Sequence, residues 1–195
     1  MKKKSTLVIL ASLLVILLCG AYLLYQYLGD RVEAPQIGQE EQTQEEASQE
    51  EQPQDNTAPN FMVYDAAGNP AKLSDFFGKP IVLNFWASWC GPCKSEMPGF
   101  QARYEALGEH VQFLMVNMTD GSRETVDKAS LFISEAGYTF PVFFDTDDSA
   151  AITYSVYSLP TTYFLDESGN IVAWASGAID EATLQKGIDM IYTEE

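Results

Sequence analysis

The run Asn84-Phe85-Trp86-Ala87-Ser88-Trp89-Cys90-Gly91-Pro92-Cys93 sets two thiols three residues apart, just after an apolar strand and at the start of a helix. The strand, Ile81 to Trp86, ends in a short turn. The helix that follows points its unpaired backbone N–H groups and the positive end of its dipole at the first sulfur, Cys90. A thiolate is favoured there: free cysteine titrates near ~8.5, and in Cys-x-x-Cys motifs at helix N-termini the value falls to about 7 or lower. Cys90 is therefore the expected attacking sulfur, and Cys93, one turn further in and shielded, the resolving one.

Two blander readings of the pair fit the chain less well. A closed zinc site needs four ligands, whereas the chain holds three cysteines and one histidine, with Cys19 inside an apolar segment and His110 alone. A purely structural bridge across two residues closes too small a loop to remove much unfolded-state entropy. The strand-to-helix context is the one that redox cysteines require.

Working outward, Lys2, Lys3 and Lys4 precede Leu7 to Leu28, a leucine-rich apolar run of 22 residues. A bilayer core asks for about 20 residues of helix. The lysines are expected to stay cytoplasmic, sending the rest of the chain outward. A cleaved signal peptide shares the basic-then-apolar pattern, but its core is normally 7–15 residues and no small-x-small pair follows Leu28 convincingly. Cys19 raises a lipoprotein anchor as a third possibility, although Leu18 precedes it rather than a small residue. All three place the remainder outside the cytoplasm.

Residues 30–57 are rich in Glu, Gln, Pro and Ser, with nine acids against one Arg, and cannot form a core. They read as a tether of about 30 Å root-mean-square span. The domain organisation is thus a basic tip and membrane anchor over 1–29, an acidic tether over 30–57 and one folded domain over 58–195. The whole chain carries a net charge of −17. Residues 58–195 alone carry nineteen acids and seven Lys or Arg, a net of −12. Repulsion disfavours nucleic acid as a partner.

About 138 residues suffice for one domain with a full core. Phe61 to Asp65 and Lys72-Leu73 flank a turn and predict a hairpin, followed by a helical turn at Ser74 to Phe77. A helix from Cys93 to about Leu107 follows strand Ile81 to Trp86, with a kink expected at Pro98, which lacks an N–H. The pattern then gives a strand from Val111 to Met118, an amphipathic helix between Gly121 and Gly137, a strand at Pro141 to Phe144 and a helix from Ser149 to Val156. Strands Thr161 to Leu165 and Ile171 to Ser176 form a hairpin, closed by a helix from about Asp180 to Tyr192. Such alternation implies an α/β sheet with a parallel core and helices on both faces.

The segments Asn84 to Pro98 and Leu159-Pro160-Thr161-Thr162-Tyr163-Phe164-Leu165-Asp166 resemble the TlpA/ResA branch of the thioredoxin superfamily, membrane-anchored bacterial thiol-disulfide oxidoreductases with a redoxin-type domain. The resemblance covers nearly all of residues 58–195, and the anchor and tether match it as well. It implies a thioredoxin fold with an N-terminal β-hairpin and a TlpA-type helix-strand insertion between Gly121 and Asp145. By the same resemblance Pro160 is the cis-proline opposite the cysteines, shielding them from metal. It leaves the backbone of Leu159 free to pair with an extended client. Trp89, Gly91 and Pro92 complete the client-facing surface, with Pro92 also restraining the turn.

One position departs from thioredoxin, where a buried aspartate on the first core strand exchanges protons with the resolving cysteine: this chain has Asn84, which cannot titrate. In this branch a glutamate at position 96 is an active-site group. Glu96 lies three residues after Cys93, on the same helix face. Desolvation and a neighbouring thiolate would raise its pKa and suit it to take the Cys93 proton. The alternative is an exposed carboxylate pairing with Lys94 or with nothing. Trp86 and Phe113, Phe132, Phe143, Phe144 and Phe164 are read as core, and His110 receives no role.

The expected activity is extracytoplasmic reduction of disulfides in exported proteins by the Cys90/Cys93 dithiol, with no cofactor and no metal. By the resemblance, a CcdA- or DsbD-like membrane electron donor would regenerate the dithiol. Clients would include apocytochrome c, oxidised cysteines of surface proteins or a methionine sulfoxide reductase. A thiol peroxidase is the competing enzyme, yet Trp86-Ala87-Ser88-Trp89 stands before Cys90 where peroxidases of that relative carry Pro-x-x-x-Thr/Ser-x-x. A client-binding module without turnover is the non-enzymatic alternative.

Overall fold

Six consecutive buried residues make β3 (Ile81–Trp86) a strand covered on both faces, an environment that the centre of a layered sheet provides. In the computed structural model, which describes residues 56–193, β3 lies in a seven-stranded sheet of order β2-β1-β5-β4-β3-β6-β7. It pairs in parallel with β4 (Gln112–Met118) and antiparallel with β6 (Thr161–Leu165). β4 pairs in parallel with β5 (Val142–Asp145). The hairpin of β1 (Met62–Tyr64) and β2 (Pro70–Lys72) joins antiparallel to β5, and β7 (Ile171–Ser176) joins antiparallel to β6. This is the parallel core with antiparallel flanks that the alternating pattern implied.

Side chains along a strand alternate between its faces, and here each face has its own core. Val82 and Trp86 of β3, with Phe113 and Met115 of β4, pack under α1 (Gly91–Leu107), α2 (Val126–Ala136) and α4 (Glu181–Ile191) through Met97, Phe100, Ala129, Leu184 and Ile188. Ile81, Leu83 and Phe85, with Leu114 and Val116, pack under the 3-10 turn Leu73–Phe76 and the short α3 (Ser149–Thr153) through Leu73 and Ala150. Trp86, Phe113, Phe144 and Phe164 are buried as expected, while Phe132 and Phe143 are only partly so. His110 stacks on Tyr192.

Two hairpins are closed by the same side-chain device. Asp65 Oδ1 accepts from the backbone of Ala67 and Asn69, and Asp166 Oδ1 from that of Ser168 and Asn170. Each Asp also receives its Asn side chain. A left-handed glycine, Gly68 or Gly169, completes each turn.

Several expected boundaries move. α1 begins at Gly91, two residues before Cys93, because Cys90 itself caps it. Pro98 lies inside α1 without ending it: one ladder bond is lost and the helix runs on to Leu107. α3 stops at Thr153, short of Val156, where Ser155 turns to a positive φ of 50°. Asn56 and Thr57, assigned by composition to the tether, pair with Ile171 and Asn170 at the start of β7, so the ordered domain reaches back at least to Asn56. The expected anchor over Leu7 to Leu28 and the rest of the tether lie outside the described residues. Among the described residues no helix is long and apolar enough to cross a membrane.

A Cβ at Gly187, in the buried face of α4, would run into the ring of Phe164. Overpacking of this kind costs about 1–3 kcal/mol, more than the ~1 kcal/mol that alanine gains over glycine in a helix. Gly187→Ala is therefore expected to lower the urea midpoint. An unchanged or raised midpoint would show that Phe164 has room to yield.

Candidate active site

The buried end of β3 delivers the chain into the turn Ala87-Ser88-Trp89, which closes when the Cys90 amide donates to Ala87 O at 3.1 Å. Cys90 is the N-cap of α1, and its Sγ accepts from the Cys93 amide at 3.2 Å. Pro92 occupies the first turn, where its missing N–H leaves nothing unpaired. No acidic side chain stands in that turn to oppose negative charge on sulfur. Cys90 and Cys93 are joined as a disulfide. Cys90 is 4% exposed and Cys93 fully buried, which separates an approachable sulfur from a shielded one, as the spacing implied.

A groove of about 460 Å³ opens at Cys90. Trp89, Gly91 and Pro92 form one wall, Met118, Asp120 and Arg123 another, and Asp148 and the segment Val156 to Leu159 the rest. Four of the five expected client-facing residues therefore meet around the sulfur: Trp89, Gly91, Pro92 and Leu159. The fifth, Pro160, is buried beside the groove rather than in its lining; its bond to Leu159 is cis, and its carbonyl accepts from Gly177 N at 2.8 Å. No other described residue hydrogen-bonds to the backbone of Leu159. Trp89, expected on the client-facing surface, is 39% exposed and carries the Arg123 guanidinium on its ring, with Cζ 3.5 Å from the centroid.

Glu96 is buried, and so is not the exposed partner of Lys94 that the sequence also allowed. Its Oε1 accepts from Asn84 Nδ2 at 2.9 Å and its Oε2 from the Ile179 amide at 3.0 Å. Asn84 Nδ2 also donates to Thr162 Oγ1 at 3.0 Å, while Asn84 Oδ1 is buried without a partner among the described residues. Burial pushes the Glu96 carboxyl up to about 7, and the two hydrogen bonds only partly offset it. The cause is desolvation alone: in the disulfide the neighbouring sulfurs carry no charge, so the thiolate contribution expected from sequence is absent in this state. The non-titrating Asn84 thus has a role, as the fixed donor that seats Glu96 one helical turn beyond Cys93.

A second buried carboxylate escaped the sequence reading. Glu124 has no solvent exposure, and it accepts from the Ser88 amide and the Asn117 side chain, each at 2.8 Å, and from the Ser88 hydroxyl at 2.7 Å. It ties the redox turn to the end of β4. Its loop, Asp120 to Thr125, is polar throughout and reads as solvated. The one available signal was the pair Ser88 and Asn117, donors at the ends of apolar strands that require an acceptor.

The raised Glu96 pKa makes stability depend on pH. A carboxyl shifted from 4.5 to about 7 by folding contributes its stabilisation fully below the unfolded value and loses it as pH rises through the folded one. Glu96→Gln, always neutral, escapes that loss. Gln can keep an acceptor for only one of the two donors, Asn84 Nδ2 and Ile179 N, and that loss is the same at both pH values. Urea midpoints at pH 4.5 and pH 8 are expected to show the variant gaining on the parent by up to about 3 kcal/mol; parallel pH profiles would contradict the shift. Glu124→Ala leaves a buried donor at Asn117 and part-buried donors at Ser88 without their acceptor, and is expected to destabilise the domain by about 1–3 kcal/mol for the buried one and less for the others, read from the same titration.

Known proteins agree with this geometry. The AhpC/TSA family model matches residues 55–174. The chain is 30% identical to thiol-disulfide oxidoreductase ResA of Geobacillus kaustophilus over 193 residues, 98% of this chain and 99% of that one. It is 31% identical to the Bacillus subtilis ResA over 197 residues, 100% and 98% of the two chains. Among solved structures, StoA from Bacillus subtilis superposes with a TM-score of 0.58 at 28% identity, covering 68% of this chain and 98% of StoA. With a Cys-x-x-Cys disulfide at a helix N-terminus set in a thioredoxin fold, this chain belongs to the AhpC/TSA family, in its ResA-like branch, and is a thiol-disulfide oxidoreductase.

Proposed function

We propose that the protein is a membrane-tethered reductase of disulfides in extracytoplasmic proteins. The observation that carries this reading is the asymmetry of the sulfurs: Cys90 opens to the groove at a helix N-terminus, and Cys93 is sealed behind it with Glu96 one turn away. In the dithiol state the Cys90 thiolate attacks a client disulfide, forming a mixed disulfide and expelling one client thiolate, which takes up a proton. Cys93 then loses its proton to Glu96 and attacks Cys90 Sγ. The second client sulfur leaves as a thiolate and takes up a proton, and the two electrons of the dithiol have passed to the client while Cys90 and Cys93 close as a disulfide. A carboxyl poised near 7 is matched to that transfer at neutral pH.

The unbonded backbone of Leu159, at the rim beside Cys90, is the place where an extended client strand would pair. The Gly91-Pro92 dipeptide favours reduction over oxidation. The basic tip and the 22-residue apolar run at Leu7 to Leu28 support a retained anchor, with the domain outside the cytoplasm. A membrane conduit of the CcdA or DsbD kind would return electrons to the disulfide, and apocytochrome c or oxidised surface proteins would be the clients. A peroxidase reading has no support around Cys90, where the residues before the sulfur differ from the peroxidase pattern.

Cys93→Ser is expected to accumulate mixed disulfides through Cys90, visible on non-reducing gels and lost when Cys90 is also Ser. Noncovalent retention of clients by the double variant, with none trapped by the single one, would mark a binding module instead. Equilibration of the full-length protein with dithiothreitol or glutathione should give a potential near about −270 mV; a value near about −120 mV would reverse the direction to oxidation.

A further inference from the structure

Arg123 and Glu124 are adjacent in the loop between β4 and α2, and they grip adjacent residues of the redox turn. Glu124 holds Ser88, and Arg123 lies over Trp89. The loop is braced from within: Asp120 Oδ1 accepts from Ser122 N at 2.7 Å and Glu124 N at 3.0 Å, and Lys128 Nζ donates to the carbonyls of Ser122 at 3.2 Å and Arg123 at 3.0 Å. The guanidinium therefore has a defined position in the wall of the groove that contains Cys90. It makes no ion pair or hydrogen bond with another described residue, so no direct partner cancels its charge.

We propose that Arg123 is the cation that stabilises the Cys90 thiolate, held in place by the face of Trp89; this rests on the redox reading of Cys90 and Cys93. A nearby Arg or Lys lowers a cysteine pKa by favouring its charged form. The stacking explains why the residue is arginine. A planar guanidinium lies flat on an indole, whereas a lysine ammonium is more strongly hydrated on a flexible stem. The other charges around the sulfurs are mostly negative: Asp120 and Asp148 line the same groove, Glu96 lies behind Cys93, and Glu124 lies beneath Ser88. Lys94, on the first turn of α1, is exposed. Among the described residues, Arg123 is the one cation in the groove lining, in a domain of net charge −12. Without it the field at Cys90 would be that of the acids, the helix terminus and the solvent-exposed Lys94.

The test is the titration of Cys90 in the full-length protein carrying Cys19→Ser and Cys93→Ser, followed by the pH dependence of iodoacetamide alkylation. Arg123→Gln removes the charge but keeps a planar group that can lie on Trp89. It is expected to raise the Cys90 pKa by about half to one unit, slowing alkylation about 3- to 10-fold below the pKa. Arg123→Lys, which keeps the charge but not the flat stacking, should fall between the parent and Arg123→Gln, and Asp120→Asn or Asp148→Asn should move the pKa the opposite way. High salt should narrow the gap between parent and Arg123→Gln. An Arg123→Gln titration that superposes on the parent's, or moves down, overturns the proposal, even if the urea midpoint changes. Failure of the unsubstituted protein to exchange disulfides with dithiothreitol would instead overturn the redox reading.

Discussion

A strand buried on both faces leaves little freedom at its end. β3 has no solvent-facing side, so the turn that leaves it must bring the chain to the surface and start α1 within four residues. The first unpaired N–H groups of α1 are then presented at the sheet's edge, and the residue in position to receive one is Cys90. Cys93, one turn on, points back into the core formed by Trp86, Met97 and Phe100. The unequal exposure of the two sulfurs is thus a consequence of how the sheet is layered.

Two buried carboxylates flank that turn, and they do different work. Glu96 meets one side-chain amide and one backbone amide, too little to replace the water it loses, and so keeps a proton near neutral pH. Glu124 meets three donors, two of them on Ser88, and anchors the turn to the end of β4. The β4–α2 connection supplies both Glu124 and Arg123, so the helix-strand insertion that widens the sheet also supports the redox turn.

Much of this was legible in the residues. Apolar runs and periodic patterns located the strands and helices to within a few positions, because β3 and β4 are buried on both faces while α2 and α4 each bury one recurring face. The errors fell where a single side chain or backbone angle overrides the pattern. Cys90 capped α1 earlier than the apolar spacing suggested, Ser155 cut α3 short, and the Asn56 and Thr57 backbone found partners at β7 despite a tether-like composition. The pair Cys90 and Cys93 and the neighbour Glu96 were readable because the spacing of one helix sets their relations.

The sequence by itself determined the chemistry: two thiols at a strand-to-helix junction, a carboxyl one turn beyond, and an amide where a titrating group stands in thioredoxin. Only the tertiary structure decided how those groups behave. The Glu96 pKa depends on burial against Asn84 and the Ile179 amide, a partner 83 residues away. Leu159 reaches the groove, and Glu124 and Arg123 reach the redox turn, through sheet pairings between distant segments. Helical spacing is a local property that residue order carries directly, whereas desolvation and cross-element contact exist only once remote parts of the chain exclude water together.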